Sequence, residues 1–291
     1  MTLPPSLLEQ LSRDLGSPVK MMHSMSGGCI NNAAIMSLGS SGYYFLKWNT
    51  HAPKGFFAAE AFGLSKLEQT EVIKVPKVIT YADNDKSEVD YLVLELLSSS
   101  DPSVEDLEKF AQQLAMLHKV ISDEYGLERN NFIGSLPQEN TEMSNWGEFF
   151  FNQRLVKQAQ LGSVSGWFDY NFERLFAVKQ QVIIDLLNEV NDEGPTLLHG
   201  DLWSGNVYWT KEGAALIDPA VYFGNREADI AFSEMFGGFG RRFYQAYQDA
   251  YPLRSGYPKR KIILNLYHQM THANMFGGSY VSEAYSSLTR I

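Results

Sequence analysis

Residues 197–219 constrain this chain more than any other stretch. They read LLHGDLWSGNVYWTKEGAALIDP. Asp201 and Asn206 open the stretch, an apolar run follows, Lys211-Glu212-Gly213 has turn composition, and a second apolar run ends at Asp218. The pattern predicts a loop and then a hairpin, with polar groups at both ends and none in the middle. A carboxylate, a carboxamide and a second carboxylate so spaced suit phosphoryl transfer from a nucleotide. One carboxylate takes the proton of the attacking hydroxyl, and the amide and the other carboxylate hold magnesium on the phosphates.

The spacing H-x-D-x-x-x-x-N from His199 to Asn206 fits the kinase catalytic loop, with Gly200 in place of the usual arginine. Asp218-Pro219-Ala220 stands where that pattern has Asp-Phe-Gly. Taken singly, Asp201 and Asn206 also read as turn formers and Asp218 as a strand cap. A hairpin and a second aspartate in register favour a site.

Composition removes several function classes. A formal charge of −10 on 291 residues, with no Lys/Arg cluster, argues against a nucleic-acid partner. The longest apolar runs are broken by Glu95 and Asp185, so none is expected to cross or bind a membrane. The first residues, MTLPPSLLEQLSRDLG, lack the basic head and apolar block of a secretory signal. Cys29 is the only cysteine, which precludes an internal disulfide and leaves a monomer or a homodimer open. A reducing, cytoplasmic setting is expected. A dinucleotide-binding oxidoreductase is disfavoured, because no glycine fingerprint lies at a strand-to-helix junction.

In chain order, leucines 3, 7, 8, 11 and 15 predict a packing helix with Pro4 and Pro5 in its first turn. Short strands are expected over residues 19–25, 33–38 and 43–48. Between the first two, Gly27, Gly28, Cys29 and Asn31 form a turn whose backbone N–H groups are candidates to cover nucleotide phosphates, with a plain hairpin turn as the alternative. The third strand places Tyr43, Phe45 and Lys47 on one face and Tyr44, Leu46 and Trp48 on the other. In a helix over 56–69, Glu60 falls on the apolar stripe between Phe56/Phe57 and Leu64/Leu67. A carboxylate there needs a partner. A Lys47–Glu60 ion pair accounts for both residues, with two unrelated surface charges at the stripe's margins as the alternative, and it is the pair a kinase uses to aim lysine at phosphates.

Strands over 75–80 and 91–97 complete an expected five-stranded antiparallel sheet with one helix across it. Serines and Pro102 after Leu97 mark a boundary, giving an N-terminal nucleotide-binding lobe (1–97) and a C-terminal helical lobe (98–291). Glu95 to Leu97 would then offer backbone groups to adenine. Helices are expected from Ser103, over 146–160 and 167–190, and from Pro258, with a polar, turn-rich loop over 130–145. His118 reads as a core histidine without a catalytic role. Asp229 reads as a helix cap or as a buttress of the catalytic-loop backbone. Residues 236–240 (FGGFG) form a break suited to the border of a substrate pocket. His268 and His272 have the i, i+4 spacing of a zinc helix, but Gln269 occupies the place of its glutamate.

The chain resembles the fructosamine kinase (ketosamine-3-kinase) family, whose members share the protein-kinase-like fold of aminoglycoside and choline phosphotransferases. The resemblance rests on Gly27-Gly28-Cys29-Ile30-Asn31, on Phe57-x-x-Glu60, on Asp201-Leu202-Trp203-Ser204-Gly205-Asn206 and on Ile217-Asp218-Pro219-Ala220-Val221-Tyr222. Arg226-Glu227-Ala228-Asp229 and Phe276-Gly277-Gly278 complete it. It implies an α+β, two-lobed fold and ATP- and Mg²⁺-dependent phosphorylation of the 3-hydroxyl of ketosamines, carried on free amines or protein lysines, which leads to deglycation. It also implies Asp201 as the base, Asn206 and Asp218 as magnesium ligands, Lys47 with Glu60 on the phosphates, and the 27–32 loop as phosphate cover. Trp203 would stack on the sugar, or else pack in the core. Ala58 and Asn225 depart from the family pattern without touching this chemistry. A same-fold kinase of choline or an aminoglycoside, and a non-catalytic nucleotide-binding protein, remain the alternatives.

Overall fold

The computed structural model describes residues 4–25, 31–39, 42–83 and 89–291. The chain separates into two compact units, one of residues 1–101 with 208–218 and the other of residues 102–207 with 219–291.

The first unit contains α1 (Pro5–Asp14), β1 (Val19–Met25), β2 (Asn32–Leu38), β3 (Tyr43–Asn49), α2 (Phe56–Glu68), β4 (Val78–Ala82) and β5 (Asp90–Glu95). The strands form one sheet in the order β1-β2-β3-β5-β4, antiparallel throughout. Leu7 and Leu11 of α1 pack with Val19, Met36, Leu46, Trp48, Tyr91 and Val93 into one core. Because Leu46 and Trp48 are spent there, the alternation of β3 sends Lys47 to the opposite face. Lys47 stands in mid-sheet, opposite Ala33 of β2 and Leu92 of β5.

Two strands differ from the sequence expectation. The strand expected over 75–80 begins only at Val78, because Pro76 cannot donate to a ladder and Lys74 instead bridges to Ala215. The strand expected over 91–97 ends at Glu95. The hairpin Val207–Thr210/Gly213–Leu216 has its turn where sequence placed it. It joins the first unit through Leu216 N–H to the Lys74 carbonyl (2.8 Å) and Ser100 N–H to the Trp209 carbonyl (2.9 Å). Glu212 also receives the Lys74 ammonium at 2.8 Å.

The second unit is mainly helical: α3 (Val104–Leu117), α4 (Trp146–Phe150), α5 (Val156–Ser165), α6 (Tyr170–Asn188), α7 (Glu227–Ser233), α8 (Arg241–Ala250), α9 (Tyr257–Phe276) and α10 (Ser279–Arg290). Ser103 and Asp106 form the capping box expected at the start of α3. The single helix expected over 146–160 is interrupted by a π turn, Phe151–Leu155, a widening that hydrophobic periodicity does not register. Thr196–Leu198 pairs antiparallel with Tyr222–Gly224. That ribbon fixes the backbone just before the loop from His199 to Asn206 and just after Asp218. No helix among the described residues is long and apolar enough to cross a membrane.

Three histidines of this unit, His118, His268 and His272, have proton affinities lowered by burial, His268 most strongly. Unfolded, each would bind a proton near its ordinary pKa of about 6.5, whereas folded it binds one only at lower pH. Their contribution is therefore intact above about pH 6.5 and is lost as pH falls from there through the folded values. Thermal midpoints measured from pH 7.5 to 5 should drop on the acid side, and His268→Gln should flatten that slope.

Candidate active site

In the first unit, residues distant in sequence meet at one ammonium. Lys47 Nζ lies 2.6 Å from Glu60 Oε1 and also binds Asp218 Oδ1. Burial pulls the lysine's proton affinity down, but Asp218 and Glu60 outweigh it and leave Lys47 more firmly protonated than a free lysine. Glu60 is pushed above the usual carboxylate range, because burial costs it more than Lys47 returns. Asp218 is different: its side chain is 44 % exposed against 10 % for Glu60. Its backbone sits at φ +54°, a left-handed conformation that aspartate tolerates better than most residues. Asp218 is therefore the carboxylate of the three residues that offers oxygen to solvent or to a ligand.

The remaining nucleotide candidates are less engaged. Asn31 accepts a hydrogen bond from Asn49 (3.1 Å), while Gly27, Gly28 and Cys29 lie outside the described residues. Glu95 is largely committed to its own sheet edge. Its N–H donates to the Lys77 carbonyl (2.8 Å), and its carboxylate accepts from Lys77 N–H (3.2 Å) and faces Lys74 (3.8 Å). Neither Leu96 nor Leu97 makes a backbone–backbone hydrogen bond outside the strands among the described residues.

In the second unit, the loop from His199 to Asn206 is held from beneath. Asp229, on α7 and only 2 % exposed, accepts from the N–H groups of His199 (2.8 Å) and Gly200 (2.9 Å). Of its two sequence readings, the buttress is the one observed. Asp229 Oδ2 also faces Nε2 of buried His118 (3.3 Å), whose Nδ1 lies 2.7 Å from the Tyr247 hydroxyl. With burial keeping His118 neutral, Nε2–H donates to the carboxylate and Nδ1 accepts from Tyr247. His118 is thus a positioning residue two bonds removed from the loop, a role that a lone histidine on an apolar face did not announce.

Gly200 explains the missing arginine. Its φ is +82°, and a Cβ built on it would lie 2.0 Å from the Ala220 carbonyl oxygen. We expect Gly200→Ala to lower the thermal midpoint by several degrees and to cut activity; a variant matching wild type in both would show that the loop has another low-energy path.

Asn206 donates through Nδ2 to both the backbone carbonyl and Oδ2 of Asp201, each at 2.9 Å. This orients the carboxamide and leaves its Oδ1 without a protein hydrogen bond among the described residues. An amide oxygen from Asn206 and the exposed carboxylate of Asp218 are hard oxygen donors of the kind magnesium takes alongside phosphate and water. The Trp203 ring lies over Gly205, where a Cβ would come within 2.3 Å of it. It also packs edge-on to Phe236 at 5.9 Å and stays 36 % exposed.

A buried network also went unforeseen. Arg154, on the π turn, is fully buried, sits 4.0 Å over the Tyr222 ring and donates to Asn140 Oδ1 (2.8 Å). Asn140 and Gln138 both donate to Asn131 Oδ1 (2.9 Å each). Gln138 and Asn131 in turn hold the carbonyls of Ala220 (3.0 Å) and Val221 (2.8 Å). The polar, turn-rich segment over 130–145 therefore secures the backbone that follows Asp218. Its amides gave no sign of this, since burial is invisible in composition.

The chain has relatives among known proteins. The model of the family described as fructosamine kinase matches residues 5–291. The chain belongs to the fructosamine kinase family. A probable ketoamine kinase of Vibrio vulnificus is 39 % identical over 277 residues, covering 94 % of this chain and 92 % of that protein. A protein-ribulosamine 3-kinase of Arabidopsis thaliana is 34 % identical over 279 residues, covering 95 % and 84 %. Among solved structures, a putative fructosamine-3-kinase from Haemophilus somnus superposes with a TM-score of 0.86 at 30 % identity, covering 98 % and 96 %. A choline kinase of Streptococcus pneumoniae, at TM-score 0.59 and 16 % identity over 98 % of each chain, shares the fold. The α+β, protein-kinase-like architecture is thereby shown.

Proposed function

We propose that the protein is an ATP-dependent kinase that phosphorylates the 3-hydroxyl of ketosamines, the sugar adducts that glycation leaves on free amines or protein lysines. The observation that carries this reading is the convergence of Glu60 and Asp218 on Lys47, from positions 47, 60 and 218 of the chain. A buried strand lysine paired with a helix glutamate, with a second, exposed aspartate beside it, supports this reading, since kinases aim their lysine at nucleotide phosphates through such a pair and hold magnesium with such an aspartate. Family membership narrows the acceptor, since relatives carry the names ketoamine kinase and ribulosamine 3-kinase.

In this reading Asp201 accepts the proton of the sugar hydroxyl as the terminal phosphoryl group leaves ATP, with Asn206 holding the carboxylate in place. Lys47 binds the nucleotide phosphates, and Glu60 keeps its ammonium from swinging away. Asn206 Oδ1 and Asp218 would hold magnesium, which when bound neutralises phosphate charge. Leu97 offers its backbone to adenine, Gly27 to Asn31 cover the phosphates, and Trp203 lies against the sugar. Positioning and charge neutralisation supply most of the acceleration.

The test is incubation with Mg-ATP and ribose-, erythrose- and fructose-derived ketosamines, locating the phosphate by NMR. Phosphate on O3 of any of them upholds the reading. Turnover of choline or an aminoglycoside without ketosamine turnover replaces the acceptor, and no turnover on any small alcohol or amino-sugar removes the enzymatic reading.

A further inference from the structure

Three sequence features that phosphoryl transfer leaves unused come together on the second unit. They are Phe236 before its glycine break, the His268/His272 pair, and Phe276-Gly277-Gly278. Ring centroids run continuously from the catalytic loop: Trp203 to Phe236 at 5.9 Å, Phe236 to His272 at 5.4 Å, and His272 to Phe276 at 5.8 Å and to Tyr280 at 4.9 Å. Gly277 and Gly278 have φ of +63° and +61° with ψ of −140° and −135°, a pair of conformations essentially reserved for glycine. They turn α10 back so that Tyr280 reaches His272. Trp203, Phe236 and Phe276 remain 36 %, 38 % and 53 % exposed, a run of aromatic surface that core packing does not explain.

The surface has a sign as well as a shape. None of its five residues carries a positive charge, and the Glu283 carboxylate acts on His272. His272 gives its Nδ1 proton to the His268 carbonyl at 2.7 Å, and burial of the ring keeps it neutral. Its Nε2 is then a lone-pair acceptor with no protein partner among the described residues. Aromatic faces, an imidazole acceptor and a nearby carboxylate together favour a cation that carries N–H.

We propose that Phe236, His272, Phe276 and Tyr280 form the subsite for the amine side of the acceptor, binding a secondary ammonium and its carbon stem by cation–π contact and a hydrogen bond to His272 Nε2. This rests on the ketosamine reading above. The reacting O3 and the nitrogen of a ketosamine are four bonds apart, about 5 Å at roughly 1.5 Å per bond. A sugar hydroxyl at Asp201 would carry its nitrogen about that far from the carboxylate, and Trp203, two residues along the loop and in contact with Phe236, leads toward the platform. The platform would thus select the adduct over the free sugar.

Two measurements on the full chain decide it. The first compares kcat/KM for a ketosamine of Nα-acetyl-lysine amide with that for the same compound acetylated on the linking nitrogen, which removes the charge. Wild type should favour the ammonium, and Phe276→Leu and Tyr280→Leu, which keep apolar bulk but lose the ring, should reduce that preference by roughly 3- to 20-fold. Equal loss on both substrates, or no loss, overturns the proposal. The second uses ligand-observed NMR with N-methylbutylammonium and the neutral N-methylbutanamide, and needs no turnover. Preferential binding of the cation that Phe276→Leu abolishes upholds the subsite even if no ketosamine is phosphorylated, an outcome that would remove the functional reading alone. Absence of any preference overturns the subsite even if ketosamines are turned over. Thermal midpoints of both variants, at exposed or half-buried rings, verify that they fold.

Discussion

Asp201→Asn should lower turnover by about 10²–10⁴-fold while leaving ATP affinity within about twofold of wild type, the span expected when a general base is removed and the nucleotide contacts are kept. The substitution is nearly isosteric. The second bond that Asn206 makes, to the Asp201 backbone carbonyl at 2.9 Å, does not depend on the side chain. Asp229 still holds the two preceding N–H groups, so the loop has no reason to move. Single-turnover phosphorylation and nucleotide titration on the same sample separate the two quantities. Wild-type turnover in this variant would remove Asp201 as the base, and a large fall in ATP affinity would mean that the carboxylate serves the nucleotide rather than the acceptor.

Lys47→Met should act on stability and activity at once. Lys47 and Glu60 are both largely buried, and taking the cation from a buried pair typically costs about 3–5 kcal/mol because the stranded carboxylate cannot recover its water. Asp218 loses its partner too, but it is exposed enough to be hydrated. The single variant should therefore melt well below wild type and transfer no measurable phosphate. Adding Glu60→Gln removes the stranded charge, so Lys47→Met/Glu60→Gln should regain most of the lost stability and none of the activity. Recovery of both would mean that the ammonium has no part in phosphoryl transfer, and recovery of neither would mean that the lysine stem, not its charge, packs the site.

The ease with which these residues were found from sequence follows from their chemistry. Lys47 interrupts an aromatic strand face and Glu60 an apolar helix stripe, and one ion pair accounts for both, where otherwise each is a separate charge at the margin of its face. The hairpin was equally readable, since its turn composition and two short apolar runs are local signals. What sequence concealed is of another kind. His118 and Asp229 depend on two helices far apart in the chain packing together, and a histidine on an apolar face looks the same whether or not it supports a loop. The buried roles of Arg154 and of the amides of Asn131, Gln138 and Asn140 have no sequence signature, because polar composition is more often the mark of exposure. Pro76 marks where the expected strand over 75–80 fails, but the alternative partner of Lys74 is Ala215, some 140 residues further on, which no local signal reveals.

The first unit is not a continuous piece of chain, and this limits how it can be produced in isolation. A recombinant fragment ending at residue 101 would lack residues 208–218, leaving the Lys74 carbonyl and the Ser100 amide without their hairpin bonds and depriving Lys47 of Asp218. Grafting the hairpin onto that fragment through a flexible linker is the more promising design for an autonomous version of this unit.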